Sequence, residues 1–152
     1  LKKQWAERWA RSPRHARTVV YEPRFPFTKF QKETKGLKRN QNNVLVQLRT
    51  RHIATRRYLH RIGKVENDTC SSCRVHGRIA PETVHHFLFD CPSYNAQRFE
   101  LRRTLGRDAR DQQVLYGTKK GIIALLRYVA ATRRFQRVFG DVAQFRPAYL
   151  EQ

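Results

Sequence analysis

The chain has 152 residues, of which 32 are Lys or Arg and 12 are Asp or Glu, for a formal charge of +20. That length suits one domain or two small ones, and an apolar fraction of 39% leaves a modest core. The longest apolar run, Ile122 to Leu126, is far short of the roughly 20 residues of a membrane helix. The start carries no signal-peptide pattern, so neither a membrane span nor secretion is expected. A charge this lopsided makes a polyanion the expected partner. Nucleic acid comes first, ahead of an acidic protein or a membrane surface. The chain has no Met and begins with Leu1, which suggests a piece of a longer polypeptide.

From the N-terminus, Leu1, Trp5 and Trp9 recur every four residues and predict a short helix over 1–11, ended by Ser12-Pro13. Residues 12–36 combine Pro13, Pro23 and Pro26 with Tyr21, Phe25, Phe27 and Phe30, and read as an extended connector closed by Gly36. Leu37, Val44, Leu45 and Leu48 fit a helical period and predict a helix over 37–50. Another helix is expected near 54–62, with Tyr58, Leu59 and Ile62 inward and Gly63 as its stop. Residues 64–82 are turn-rich. A short helix over about 83–89 follows, then one from Pro92 to Leu105 that Gly106 ends. Thr118 is expected to cap a long helix over 119–139, with Gly140 after it. Alternation with period two is rare. The expected fold class is therefore mainly α, a small helical domain stapled at a cysteine turn, with room for a short strand pair there. Three segments are expected: 1–36 as an N-terminal helix and connector following an upstream domain, 37–106 as a helical metal-binding module, and 107–152 as a basic helical segment.

All three cysteines fall between positions 70 and 91. An odd, clustered set without a secretion signal reads as metal ligands rather than as a disulfide framework. The spacing is Cys70-x2-Cys73, then His86-x4-Cys91. A two-residue gap lets two thiolates converge on one ion. Zinc takes four N or S ligands in a tetrahedron, and a closed Cys3His set suits a structural site rather than a catalytic one. Three thiolates on a divalent ion leave a charge near −1, which Arg74 and Arg78 are expected to offset. His85 and His76 compete with His86 for the fourth position. A redox pair at Cys70 and Cys73, or three unrelated buried cysteines, are the plainer alternatives.

The segments Leu48-Arg49-Thr50-Arg51-His52-Ile53 and Tyr58-Leu59-His60-Arg61-Ile62-Gly63, the cysteine pair, and Glu82-Thr83-Val84-His85-His86-Phe87-Leu88-Phe89-Asp90-Cys91-Pro92 resemble the C-terminal zinc-binding region of non-LTR (LINE-type) retrotransposon polyproteins. There the region follows reverse transcriptase and, often, ribonuclease H. The resemblance spans about 44–105 and is looser outside it. It implies Cys70, Cys73, His86 and Cys91 as ligands of one structural Zn2+, and so favours His86. It implies a role in holding template RNA or target DNA during target-primed reverse transcription, alongside upstream polyprotein domains. It also implies a nuclear place of action with a cytoplasmic ribonucleoprotein stage. Family members often carry Gly where this chain has Arg51, which puts a tight turn there in doubt and suggests a decayed copy.

Catalysis is not expected from this piece. Polymerase and ribonuclease H chemistry needs clustered carboxylates that hold metal ions. The nearest acids here, Asp108 and Asp111, stand beside Arg107 and Arg110 and are expected to form surface pairs. No small-molecule substrate is expected. Two basic patches are the candidate nucleic-acid surfaces. One comprises Arg49, Arg51, Arg56, Arg57, Arg61 and Lys64. The other is a stripe of Lys120, Arg127 and Arg134, spaced by seven, on the back of a helix whose apolar face is Ile122, Leu125, Leu126 and Val129. Tyr58 and Tyr94 are available to stack on bases, or to fill the core. Phosphate contact of this kind gives little sequence preference and a steep salt dependence. A docking module for neighbouring polyprotein domains or an acidic partner is the competing reading.

Overall fold

The computed structural model describes residues 1–23 and 28–151. Phe25, Pro26 and Phe27 of the expected connector lie outside them. The described chain is mainly α. Its helices are α1 (Lys2–Ala10), α2 (His15–Thr18), α3 (Thr28–Thr34), α4 (Arg39–Thr50), α5 (Arg56–Arg61), α6 (Ser71–Val75), α7 (Asn95–Leu105), α8 (Gln112–Gly117), α9 (Lys119–Thr132), α10 (Gln136–Phe139) and α11 (Pro147–Leu150). A wide π turn, His86–Asp90, and two 3-10 turns, Pro92–Tyr94 and Gly106–Arg110, complete them. Instead of the strand pair allowed for at the cysteine turn, the described residues form one isolated antiparallel bridge, Thr69 to Pro81.

The core is built on α9, which packs against α7 and α8 and touches α4. Ile122, Leu125 and Leu126 are fully buried, and each such side chain contributes about 1.5–3 kcal/mol relative to exposure. Thr118 caps α9 as expected, accepting the Gly121 N–H at 3.0 Å. Gly121 has to be glycine: a Cβ there would lie 1.9 Å from the Val114 carbonyl oxygen. Apolar positions of α4, Val44, Leu45 and Leu48, close the core from the other side.

Several boundaries differ from the sequence reading. The long helix stops at Thr132, because Arg133 turns left-handed at φ 55° and a short α10 follows. Residues 12–23 and 28–36 are not extended but hold α2 and α3. Ile62 is exposed rather than inward, since α5 has ended before it. The one core includes residues from Tyr21 to Tyr149, so the expected boundary after residue 106 does not divide it. The last segment returns to the start of α4: Gln41 donates to the Val142 carbonyl at 3.0 Å and Asn40 to that of Phe139 at 3.0 Å. Helix α1, by contrast, buries no residue, and Trp5 is exposed despite the apolar stripe that predicts the helix.

Candidate metal centre and basic cleft

Cys70 stands at the N-cap of α6 and Cys73 one turn in. The knuckle is closed by Arg74 N–H to the Cys70 carbonyl at 3.0 Å and Arg78 N–H to the Cys73 carbonyl at 3.0 Å. On the return, Cys70 donates its own N–H to Ala80 at 2.7 Å. Facing it, Thr83 caps the π turn His86–Asp90 by accepting the His86 N–H at 2.9 Å. His86 and Cys91 are five residues apart, which on an α-helix sets side chains about 140° apart. Here Cys91 N–H bonds to the His86 carbonyl at 2.8 Å. That i to i+5 closure widens the turn and returns Cys91 to the side of His86. The x4 spacing is thus satisfied by a π turn.

The four ligand atoms lie within 4.8 Å of one another and all four residues are buried. Cys91 Sγ is 3.9 Å from Cys70 Sγ and 3.9 Å from Cys73 Sγ, and Cys73 Sγ is 3.4 Å from His86 Nε2. A tetrahedral ion with S–metal distances of ~2.3 Å sets sulfurs ~3.8 Å apart. The arrangement is compatible with one metal ion, and the cysteines are free rather than disulfide-bonded. Burial pushes the Cys73 thiol up to about 12 and raises that of Cys70, and it holds the His86 imidazole below its ordinary value. Neutral imidazole is the ligating form. Thiols so reluctant to ionise need a cation among them to become thiolates.

Neither rival histidine reaches the cluster. His85 is exposed, with Nε2 3.3 Å from Asp90 Oδ2, and His76 is exposed beyond the end of α6. Arg74 and Arg78, expected to offset the charge of the site, are exposed, and Arg78 lines a surface pocket together with Cys73. Arg98, which the sequence reading did not single out, is buried at 2% exposure. Its guanidinium donates to the carbonyls of Leu88 and Cys91, each at 2.9 Å, and to Asn95 Oδ1 at 2.7 Å. Among the described residues no carboxylate pairs with it. A buried cation without an anion is costly; three thiolates on a divalent ion, net −1, would supply that anion beside the Cys91 backbone.

The π turn and the residues leading into it are held to the rest by two devices. Phe87 packs edge-on or tilted against Tyr94, Tyr128 and Phe135 with centroids 5.1–5.5 Å away, and Tyr128 donates to the Phe87 carbonyl. Glu82 is buried and binds Arg134 through both oxygens at 2.7 Å while accepting the Arg56 N–H at 2.6 Å. One carboxylate therefore ties the end of α9 to α5 and to the cysteine segment.

The two expected basic patches divide. Arg49 turns inward to Glu22 at 2.9 Å and lies over the rings of Tyr21 and Phe30. Arg56 donates to Asn67. Arg134 belongs to Glu82 and falls beyond the end of α9, so it leaves the stripe; Lys120 and Arg127 remain exposed. Arg51, Arg57, Arg61 and Lys64 face outward. Arg51 also settles the doubtful turn: it adopts the left-handed conformation, φ 60°, that Gly usually takes, and the turn forms. Of the expected tyrosines Tyr94 is buried and Tyr58 half-buried. Asp111 caps α8 rather than pairing with a neighbouring arginine, and Arg110 reaches Asp90 at 3.6 Å. A cleft of about 580 Å³ opens between α2, the end of α4, α5 and the residues just before the π turn, Thr83 to His85. Its arginines include Arg17, which no sequence pattern marks.

A scan against protein-family models, a search of the curated proteins and a search of the solved structures each return no match. Among the described residues no helix is long and apolar enough to cross a membrane.

Proposed function

We propose that the chain is a nucleic-acid-binding module whose ligand-bearing segment is folded around one structural zinc ion, held by Cys70, Cys73, His86 and Cys91. Zinc fits the ligands: a closed tetrahedral set of three thiolates and one imidazole suits it and leaves no position for water or substrate. The ion's role is to fix the knuckle and the π turn against each other; we assign the chain no catalytic step. The resemblance noted above extends this reading to a role within a retrotransposon reverse transcriptase polyprotein, positioning template RNA or target DNA. Nuclear action with a cytoplasmic ribonucleoprotein stage belongs to that extension.

The observation that carries the nucleic-acid reading is the sorting of the arginines. Buried carboxylates Glu22 and Glu82 are taken by Arg49 and Arg134. Arg51, Arg61 and Lys64 stay exposed without an ion pair among the described residues. A surface left this cationic attracts phosphates and releases their counterions. Lys120 and Arg127 add a second exposed basic surface on α9. Binding of short RNA and DNA to the zinc-loaded chain across a salt series tests the reading. Affinity is expected to fall steeply and log-linearly with salt; affinity indifferent to salt, or absent, overturns it. The competing role, docking onto neighbouring domains or an acidic partner, draws on the same charge but not on a concave arginine-lined surface.

A further inference from the structure

We infer that the arginine-lined cleft is the seat of a single-stranded segment, with phosphates on Arg17, Arg51 and Arg57 and one unstacked base against Arg61 and Tyr58. This deepens the nucleic-acid reading and rests on it. The cleft gathers four arginines from three separate parts of the chain: Arg17 on α2, Arg51 just past α4, and Arg57 and Arg61 one turn apart on α5. Bringing like charges into one concavity is unfavourable unless an anion joins them. Only Arg57 has a carboxylate partner among the described residues, Asp68, at an exposed position.

Tyr58 gives the cleft a second chemistry. Its ring stands edge-on to His52 at 5.5 Å, and the Arg61 guanidinium lies 5.2 Å from its centroid. Guanidinium planes and aromatic rings are the surfaces on which free bases stack. Thr55, Thr83 and Val84 line the same cleft without charge. A duplex hides its base faces and is convex, so it can meet only the rim; a single strand can enter.

The test is fluorescence anisotropy with the full zinc-loaded chain. The probes are a short oligouridine RNA, the matching oligothymidine DNA and a DNA duplex of the same length, each challenged with polyglutamate. Single strands should bind at least tenfold tighter than the duplex and resist polyglutamate. Arg51→Gly and Arg61→Ala should each weaken single-strand binding about tenfold and flatten the log–log salt slope by about 0.7. Tyr58→Leu should weaken it at least fivefold, and Tyr58→Phe should restore it. Arg107→Ala and Arg137→Ala, exposed charges elsewhere, should change it less than twofold. Arg51→Gly keeps the test independent of folding, because glycine accepts the left-handed turn and the melting temperature should not fall. If the wild-type chain binds none of the probes, the nucleic-acid reading fails and the cleft with it. If it binds but Arg51→Gly and Arg61→Ala match it, if the duplex binds as tightly, or if polyglutamate competes equally, the cleft assignment alone is overturned.

Discussion

The helical layer of α7, α8 and α9 and the segment from Thr69 to Cys91 both end up with buried side chains, but by different means. Helix α9 alone buries Ile122, Leu125, Leu126, Tyr128 and Val129, and that apolar surface is removed from water whatever else is bound. Between Thr69 and Pro81 the buried side chains are Cys70 and Cys73, while Val75 and Ile79 stand 82% and 90% exposed. That stretch has a five-residue helix and one bridge. It has no core of its own to offset the entropy of being ordered. A helical layer can fold on apolar burial; a cysteine knuckle of this kind is expected to need an ion.

Removing the ion should separate the two regions most sharply. Chelation, or Cys91→Ser, should disorder residues 69–81, since apparent zinc binding in small zinc modules is worth about 10–16 kcal/mol at neutral pH. Hydrogen exchange should show protection lost there first and kept longest in α9. The reverse break is Gly121→Ala. Its Cβ would strike the Val114 carbonyl, so the α8–α9 packing should yield by several kcal/mol, seen as a lower melting temperature with zinc still bound. Glu82→Gln cuts the tie between the regions. It leaves Arg134 half-buried without its carboxylate, a loss of about 3–5 kcal/mol by the measure of broken buried pairs, read in denaturant titration.

The response to pH should follow the metal. The ligands must be deprotonated to hold zinc, so in the zinc-loaded chain stability is lost as pH falls and protons displace the ion. Melting temperature should drop on acidification with zinc bound, and that dependence should vanish after chelation. The smallest effect expected is from Arg51→Gly: relief of the left-handed turn should raise stability by about 1 kcal/mol while binding weakens.

How far the residues alone foretell this depends on the range of the interaction. Apolar periodicity marks α4 and α9, and Thr118 and Gly106 mark helix ends, because those signals act within a few positions. The candidate ligand set is legible because cysteine spacing is local too; spacing leaves His85 and His76 in competition with His86, and the π turn shows why His86 is the one brought to the cysteines. The long-range pairs were not legible. Nothing local says that Arg134 will cross to Glu82 or Arg49 to Glu22, or that Arg98 will be buried beside the cysteines. Each of these arginines looks, in sequence, like its exposed neighbours. Arg133 ends α9 with a left-handed turn that glycine would have announced, and the sequence there shows none. The short α2 and α3 lie where prolines argue for extended chain.

The most direct measurement is elemental analysis of the full chain purified without chelator, paired with a melting curve on the same sample. About one zinc per chain is expected, lost together with cooperative melting of the cysteine segment when Cys91 is changed to Ser. A zinc content near zero in protein that still melts cooperatively and keeps residues 69–81 protected from exchange would contradict the zinc assignment.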